Sequence, residues 1–280
     1  DITVKNIVRS LEQSSKDVST ADEIKNIATI SANNDSEIGL LISEAIDKVG
    51  REGVVTVEES QTGDTRLEIV EGMQFESKYL SPYFITNNTD MQVELENPWI
   101  LLYDKKITSI KDIVKVLEAV IQKDKPLLII AEDIDGEALA GLIVNKIRGT
   151  LKVAAVKAPG FGDRRNQNLE DIASLTGGQV VSYNRGMRLD KITPEIFGTA
   201  VRVTINNKNT TIVDGAGTTD EIEERVNQIK YDIDNAGSNY DKEQNQERLA
   251  KLAGGVAILR IGAESEIEMK EKKDRVEDAL

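Results

Sequence analysis

Two amino acids are missing from this chain of 280 residues: it has no cysteine and no histidine. Without cysteine there is no disulfide framework and no thiolate chemistry, and without histidine the imidazole route to general acid and base catalysis is closed. A reducing compartment is compatible with the first absence. Aromatic residues are scarce at 4%, and proline occurs only 5 times. No apolar run approaches the roughly 18 residues that suggest a membrane span, and the N-terminus lacks a charged-then-apolar signal pattern. Basic residues are outnumbered, 35 against 49 acidic, for a formal net charge of -14. That balance speaks against nucleic acid, which needs a basic face to displace counterions from phosphates, and against attraction to a membrane of anionic lipid. Solubility is its plainest consequence.

What is present reads as a folded protein. Hydrophobic residues make up 39% and charged residues 30%, ordinary for a globular chain and too apolar for a disordered one. The length suits one large domain or two modest ones, and two is the expectation. The chain starts at Asp1 and stops inside a charged helical pattern at Asp278-Ala279-Leu280 with no Gly or Asn cap beyond. Both ends therefore read as cut from something longer.

Apolar Ile7, Val8 and Leu11 suit the end of a helix whose partners lie elsewhere. Thr20 with Glu23 makes a capping box ahead of Ile24, Ile27 and Ile30, and Asp35 or Ser36 caps the next helix, which runs to Val49 before Gly50. Val54 to Val57 and Leu67 to Val70 read as two short strands joined by the polar turn Ser60 to Asp64. From Trp99 apolar strands alternate with helices: Trp99 to Tyr103, a helix from Ser109 to Gln122, Leu127 to Ile130, a helix from Gly136 to Ile147, Val153 to Val156, a helix from Asn166 to Leu175, then Val180 and Val181. Such alternation predicts an α/β domain with a parallel sheet covered on both faces. A hairpin (Val201 to Asn206, Thr210 to Val213), two polar helices (Asp220 to Asn235, Asp241 to Lys251), a strand (Val256 to Ile261) and a charged helix from Glu264 complete the pattern. If the first and last segments pack together, the α/β domain is inserted into a smaller α+β one.

Four of the few aromatics, Phe75, Tyr79, Tyr83 and Phe84, fall within ten positions around Ser81-Pro82. They suit either a core strand with its turn or an apolar contact surface, since aromatics supply binding area at low entropic cost. The next helices sharpen the second possibility. Ile110, Ile113, Val114, Val116, Leu117, Val120 and Ile121 cover a broad arc of the first. Ala138, Leu139, Ala140, Leu142, Ile143, Val144 and Ile147 spread over roughly two-thirds of the second, far wider than the ~100° that buries one face. Some of that surface must meet solvent or a partner, unless the helix is wedged between sheet and neighbour.

A rival enzyme reading uses Asp104, Glu132 with Asp133, and Asp163 at strand ends, where three carboxylates could hold magnesium for phosphotransfer. Asp214-Gly215-Ala216-Gly217 resembles the start of a dinucleotide fingerprint, but the third glycine is missing, and Thr218 with Glu221 reads instead as a capping box after a tight turn. In the last helix Glu268 with Lys272 and Glu271 with Arg275 stand at ion-pair spacing, and Asp278 is simply one more surface acid.

Several segments together carry a family resemblance: Val70-Glu71-Gly72-Met73-Gln74-Phe75, Tyr79-Leu80-Ser81-Pro82-Tyr83-Phe84, Lys125 to Asp133, Lys157-Ala158-Pro159-Gly160-Phe161-Gly162-Asp163-Arg164-Arg165, Leu252 to Ala257 and Met269 to Leu280. Nearly the whole chain resembles group I chaperonins of the GroEL type. The resemblance implies part of a three-domain subunit of a seven-membered, double-ring, ATP-driven folding machine whose apical domain captures unfolded polypeptides and a GroES-type co-chaperonin. It implies an apical domain over 71–256, an intermediate domain split between 14–70 and 257–280, and a remnant of an equatorial helix over 1–13.

Position by position, the resemblance puts the polypeptide-binding surface on Tyr79, Ser81, Tyr83, Phe84, Val114, Leu117, Leu139, Ile143 and Val144, with Asn145 nearby. Asp278 matches the family's catalytic aspartate, thought to activate the water that attacks ATP. The family's phosphate-binding Gly-Asp-Gly-Thr-Thr loop has no match, so ATP and magnesium, hydrolysis and the isomerase-class folding activity are expected of the intact subunit and not of this chain. Asp35 and Arg275 match a charge pair that ties the intermediate domain to a neighbouring element. Ser77 stands where relatives often carry an arginine that pairs with the acid matched by Glu266, with Lys78 beside it as a substitute cation. The intact protein is expected as a homo-oligomeric ring and this chain as a monomer or weak oligomer. A bacterial cytoplasmic location is expected, with mitochondrial matrix and plastid stroma as alternatives.

Overall fold

A computed structural model describes residues 2–16, 18, 20–50, 53–60 and 63–280. In chain order, helices α1 (Ile2–Ser14), α2 (Ala21–Ser31) and α3 (Ser36–Val49) lead into strands β1 (Val54–Glu59), β2 (Arg66–Val70) and β3 (Gly72–Phe75). A 3-10 turn at Pro82–Phe84 precedes β4 (Val93–Glu96) and β5 (Trp99–Ile107). A 3-10 turn at Ile110–Ile113 then opens into α4 (Val114–Lys123), followed by β6 (Leu127–Ile134), α5 (Gly136–Ile147), β7 (Val153–Lys157), α6 (Asp163–Thr176) and β8 (Val180–Val181). Last come β9 (Gly198–Ile205), β10 (Thr210–Gly215), α7 (Thr219–Asp234), α8 (Asn239–Ala253), β11 (Val256–Ile261) and α9 (Glu266–Ala279).

The chain divides into two compact units, one formed by 1–48, 55–68 and 258–280, the other by 49–54 and 69–257. In the first, β11 lies between β1 and β2. The two early strands thus do not pair across their polar turn; a strand nearly 200 residues later separates them. Arg260 of β11 fastens both neighbours, its Nη1 reaching Glu58 at 2.8 Å and its Nε reaching Glu68 at 2.5 Å. The hydrogen bond from Arg260 holds the Glu68 carboxyl below the usual carboxylate range. Thr20 and Glu23 form the expected reciprocal capping box on α2. Ile7, Val8 and Leu11 of α1 are exposed.

The second unit is α/β. β5, β6 and β7 pair in parallel, and β8 joins β5 in parallel. The sheet then turns antiparallel through β9, β10 and β3, with β4 also on β9. Leu127, Leu128, Ile129 and Ile130 of β6 are fully buried, as a strand covered on both faces requires. Each such side chain contributes roughly 1.5–3 kcal/mol relative to exposure. Trp99 of β5 stacks on Phe197, with ring centroids 5.0 Å apart.

Helices α6, α7 and α8 are joined by one carboxylate. Asp171 of α6 is buried and accepts from Arg225 Nε of α7 at 2.7 Å and from Arg248 Nε and Nη2 of α8, both at 2.8 Å. Arg225 also donates to the Gln167 carbonyl at 3.1 Å, and Arg248 to Asn245 Oδ1 at 2.9 Å.

The Asp214-to-Gly217 turn serves packing. A Cβ on Gly217 would stand 1.9 Å from the Ser174 carbonyl oxygen of α6, and Thr218 with Glu221 caps α7 reciprocally. Gly217→Ala is accordingly expected to cost about 1–3 kcal/mol by forcing α6 and the turn apart. A urea titration followed by the fluorescence of Trp99 checks this, because Trp99 is the only tryptophan and lies in the same unit.

Candidate functional site

Three elements of the α/β unit converge on one surface. α5 packs against the Pro82–Phe84 turn on one flank and against the Ile110–Ile113 turn, which leads into α4, on another. Ser81 and Pro82 set the first turn: Pro82 occupies a first helical position, where its fixed φ fits and no amide is needed, and Ser81 Oγ accepts from the Tyr83 amide at 3.3 Å. The proline therefore opens a 3-10 turn instead of interrupting an extended segment. The turn sends successive aromatics opposite ways. Tyr83 is 63% exposed, whereas Phe84 is wholly buried.

The nine residues assigned to a contact surface consequently separate into three groups. Tyr83, Val114 and Val144 are exposed. Leu139 and Ile143 are half-buried against the core, as is Tyr79, whose backbone bridges Val156 of β7. Ser81, Phe84 and Leu117 are buried: Ser81 is a cap, and Phe84 and Leu117 belong to the core cluster. Asn145 is turned back on its own helix, Nδ2 donating to the Gly141 carbonyl at 2.8 Å. The exposed apolar area is extended by Ile147, 63% exposed, and Ile121. Both lie on the over-wide helical arcs, the signal that could have added them.

Phe161, 89% exposed, was missed altogether. Gly160 and Gly162 on either side have φ of 82° and 57°, so the chain doubles back there and leaves the ring outside. An aromatic between two glycines was the available signal. Phe161 lies at a cleft of about 1300 Å³, lined also by Phe75, Tyr79, Arg164, Arg165 and Arg248. Arg164 caps the Tyr240 ring there at 4.2 Å from its centroid.

Three of the four carboxylates of the rival metal reading are engaged by other partners. Asp104 is buried and accepts from Ser182 Oγ at 2.7 Å and the Tyr183 amide at 3.1 Å, fixing the chain after β8. Asp133 pairs with Lys157 at 3.0 Å and Glu132 with Arg165 at 3.0 Å, while Asp163 is exposed on the first turn of α6. Among the described residues no three acidic groups cluster closely enough to hold a metal ion. The magnesium-dependent phosphotransfer reading is not supported.

In the other unit, Asp35 Oδ1 caps α3 by accepting from the amides of Glu37 at 3.0 Å and Ile38 at 3.2 Å, while Oδ2 lies 3.5 Å from Arg275 Nη1 of α9. The pair is internal to that unit and joins α3 to α9, so it is not an interdomain link. Arg275 also meets Glu271 at 2.5 Å, four residues back, whereas Lys272 donates to Thr65 Oγ1 at 3.2 Å. Asp278 is exposed on the last turn of α9, and Glu266 is exposed on its first. Ser77 is buried in the α/β unit, its Oγ donating to the Lys157 carbonyl at 2.6 Å.

What the surface offers chemically is apolar contact, from Tyr83, Val114, Val144 and Ile147 among the described residues. The TCP-1/cpn60 chaperonin family model matches residues 1–280, and the chain belongs to that family.

Proposed function

We propose that the α/β unit is the apical, polypeptide-capturing domain of a group I chaperonin subunit and that the other unit is its intermediate domain. A chaperonin's general role, binding non-native proteins and aiding their folding in an oligomeric ring, comes with the family. The observation that supports this particular surface is the exposure of Tyr83, Val114, Val144 and Ile147 on elements that pack together, in a chain of net charge -14. So much apolar area left out on an otherwise charged protein has a use in reversible contact.

Unfolded segments expose apolar side chains without fixed shape, and flat hydrophobic contact binds them with little demand for sequence. Each contact is weak. A seven-membered ring would present the surface repeatedly and raise the effective concentration of the second and later contacts. A GroES-type co-chaperonin would compete for the same face and displace the client.

ATP and magnesium belong, in this reading, to the intact subunit. Asp278 offers one exposed carboxylate, and the chain has no Gly-Asp-Gly-Thr-Thr segment to cradle phosphates, so the residues present do not make a nucleotide site. The bacterial cytoplasm is the proposed location.

Capture of a chemically unfolded protein by this chain tests the reading. Tyr83→Glu and Val144→Glu are each expected to weaken capture about tenfold, the equivalent of about 1.4 kcal/mol. Circular dichroism should show both variants folded, since both positions are exposed. Capture equal to that of the parent chain would overturn the assignment.

A further inference from the structure

Within the apolar surface, α5 carries a cation that hydrophobic capture does not require. Lys146 lies in the last turn of α5, and its Nζ donates to the Ile85 carbonyl at 2.8 Å. By helical geometry Leu139, Ile143 and Lys146 share an arc of about 60°. This arc faces the Pro82–Phe84 turn, since Lys146 reaches the residue that follows Phe84. Exposed Ile147 stands next to Lys146 in sequence, and exposed Tyr83 lies two residues before Ile85.

The ammonium is half-buried, and desolvation alone pushes its pKa below the usual lysine range. Among the described residues no carboxylate pairs with it; the hydrogen bond to Ile85 is its one contact of that kind. An ammonium has three donors, so capacity remains after that bond is made. Such a group has already lost part of its hydration, and a carboxylate arriving with apolar neighbours meets a smaller desolvation cost and a stronger field than it would at an open surface.

We propose that Lys146 gives this surface a preference among polypeptides, favouring segments in which a carboxylate stands beside large apolar side chains over neutral or basic segments of equal hydrophobicity. The occupant is an unfolded client segment lying across α5 and the Pro82–Phe84 turn, its apolar side chains on Tyr83, Ile143 and Ile147 and its carboxylate on Lys146. This inference rests on the reading of that face as polypeptide-binding.

Three fluorescent peptides of identical apolar sequence test it, differing at one central position as Glu, Gln or Lys. They are titrated against the chain, against Lys146→Met, which keeps an unbranched apolar stem, and against Lys146→Arg. The Glu peptide is expected to bind the parent chain about three- to tenfold more tightly than the Gln peptide, with the Lys peptide weakest. Lys146→Met should bring the ratio of Glu-peptide to Gln-peptide affinity to about one, Lys146→Arg should keep the preference, and added salt should shrink it.

Equal binding of the Glu and Gln peptides to the parent chain would overturn the proposal and leave polypeptide capture standing, as would tighter binding of the Lys peptide. A Glu preference that survives Lys146→Met would also overturn it, by placing the selecting charge elsewhere. Failure of every peptide to bind the parent chain would remove the capture reading itself and this inference with it.

Discussion

Asp171→Ala is expected to destabilise the α/β unit by about 3–5 kcal/mol, the largest loss predicted here for any charged residue. Asp171 stands between two guanidinium groups, and Arg248, which contacts both of its oxygens at 2.8 Å, is itself buried. Removing the carboxylate leaves that charge in a low-dielectric interior. Arg225 is more accessible, with a side chain 20% exposed, and can recover water. The cost therefore arises chiefly at Arg248.

The same logic predicts that the triad is not a source of net stability. Asp171→Leu combined with Arg248→Met should be markedly less damaging than Asp171→Ala alone, because the buried Arg248 charge goes with its partner, the more accessible Arg225 can recover water, and the volume is filled. Urea unfolding followed by Trp99 fluorescence reports on this unit, whereas far-ultraviolet circular dichroism averages both units and need not show one transition. A loss below about 1 kcal/mol for Asp171→Ala would mean that water reaches Arg248.

This triad was invisible in the sequence, where its members stand at 171, 225 and 248 with ordinary surface-helix neighbours. Local chemistry, by contrast, was legible. The capping boxes at Thr20 and Thr218, the limits of α5 and β11, and the alternation of apolar strands with helices all follow from interactions spanning a few residues. Reading stopped at the charges in β5: Asp104, Lys105 and Lys106 resemble a loop, yet the strand runs on to Ile107 because Asp104 is turned inward onto Ser182. Long-range pairing was equally hidden, since nothing near Val54 or Leu67 announces that β11 will come between their strands.

The contact surface shows the same division. Helical spacing found the arcs of α4 and α5 that exceed what one buried face needs, but spacing cannot tell which part of an arc is covered. Leu117 and Val114 lie three positions apart on α4, one buried in the core cluster and one exposed. Phe161 and Lys146 escaped for complementary reasons: exposure of the first depends on the conformation of two glycines, and the position of the second on a carbonyl 61 residues away.

Adjacent Tyr83 and Phe84 allow contact and core to be separated by experiment. Tyr83→Ser should change unfolding stability by no more than about 0.5 kcal/mol, as expected for an exposed position, while lowering capture of unfolded protein severalfold. Phe84 has no exposed surface, and Phe84→Ala should cost about 3–5 kcal/mol through lost burial and an unfilled cavity. Loss of capture in that variant would be ambiguous, because the turn that presents Tyr83 would loosen with it. Phe84→Leu resolves the point: it should remain folded at the assay temperature and capture clients within about twofold of the parent chain. A severalfold loss of capture by Phe84→Leu, with its unfolding midpoint still well above assay conditions, would place Phe84 among the contact residues. That outcome would require the Pro82–Phe84 turn to open when a client binds, since the ring is fully covered when the turn is closed.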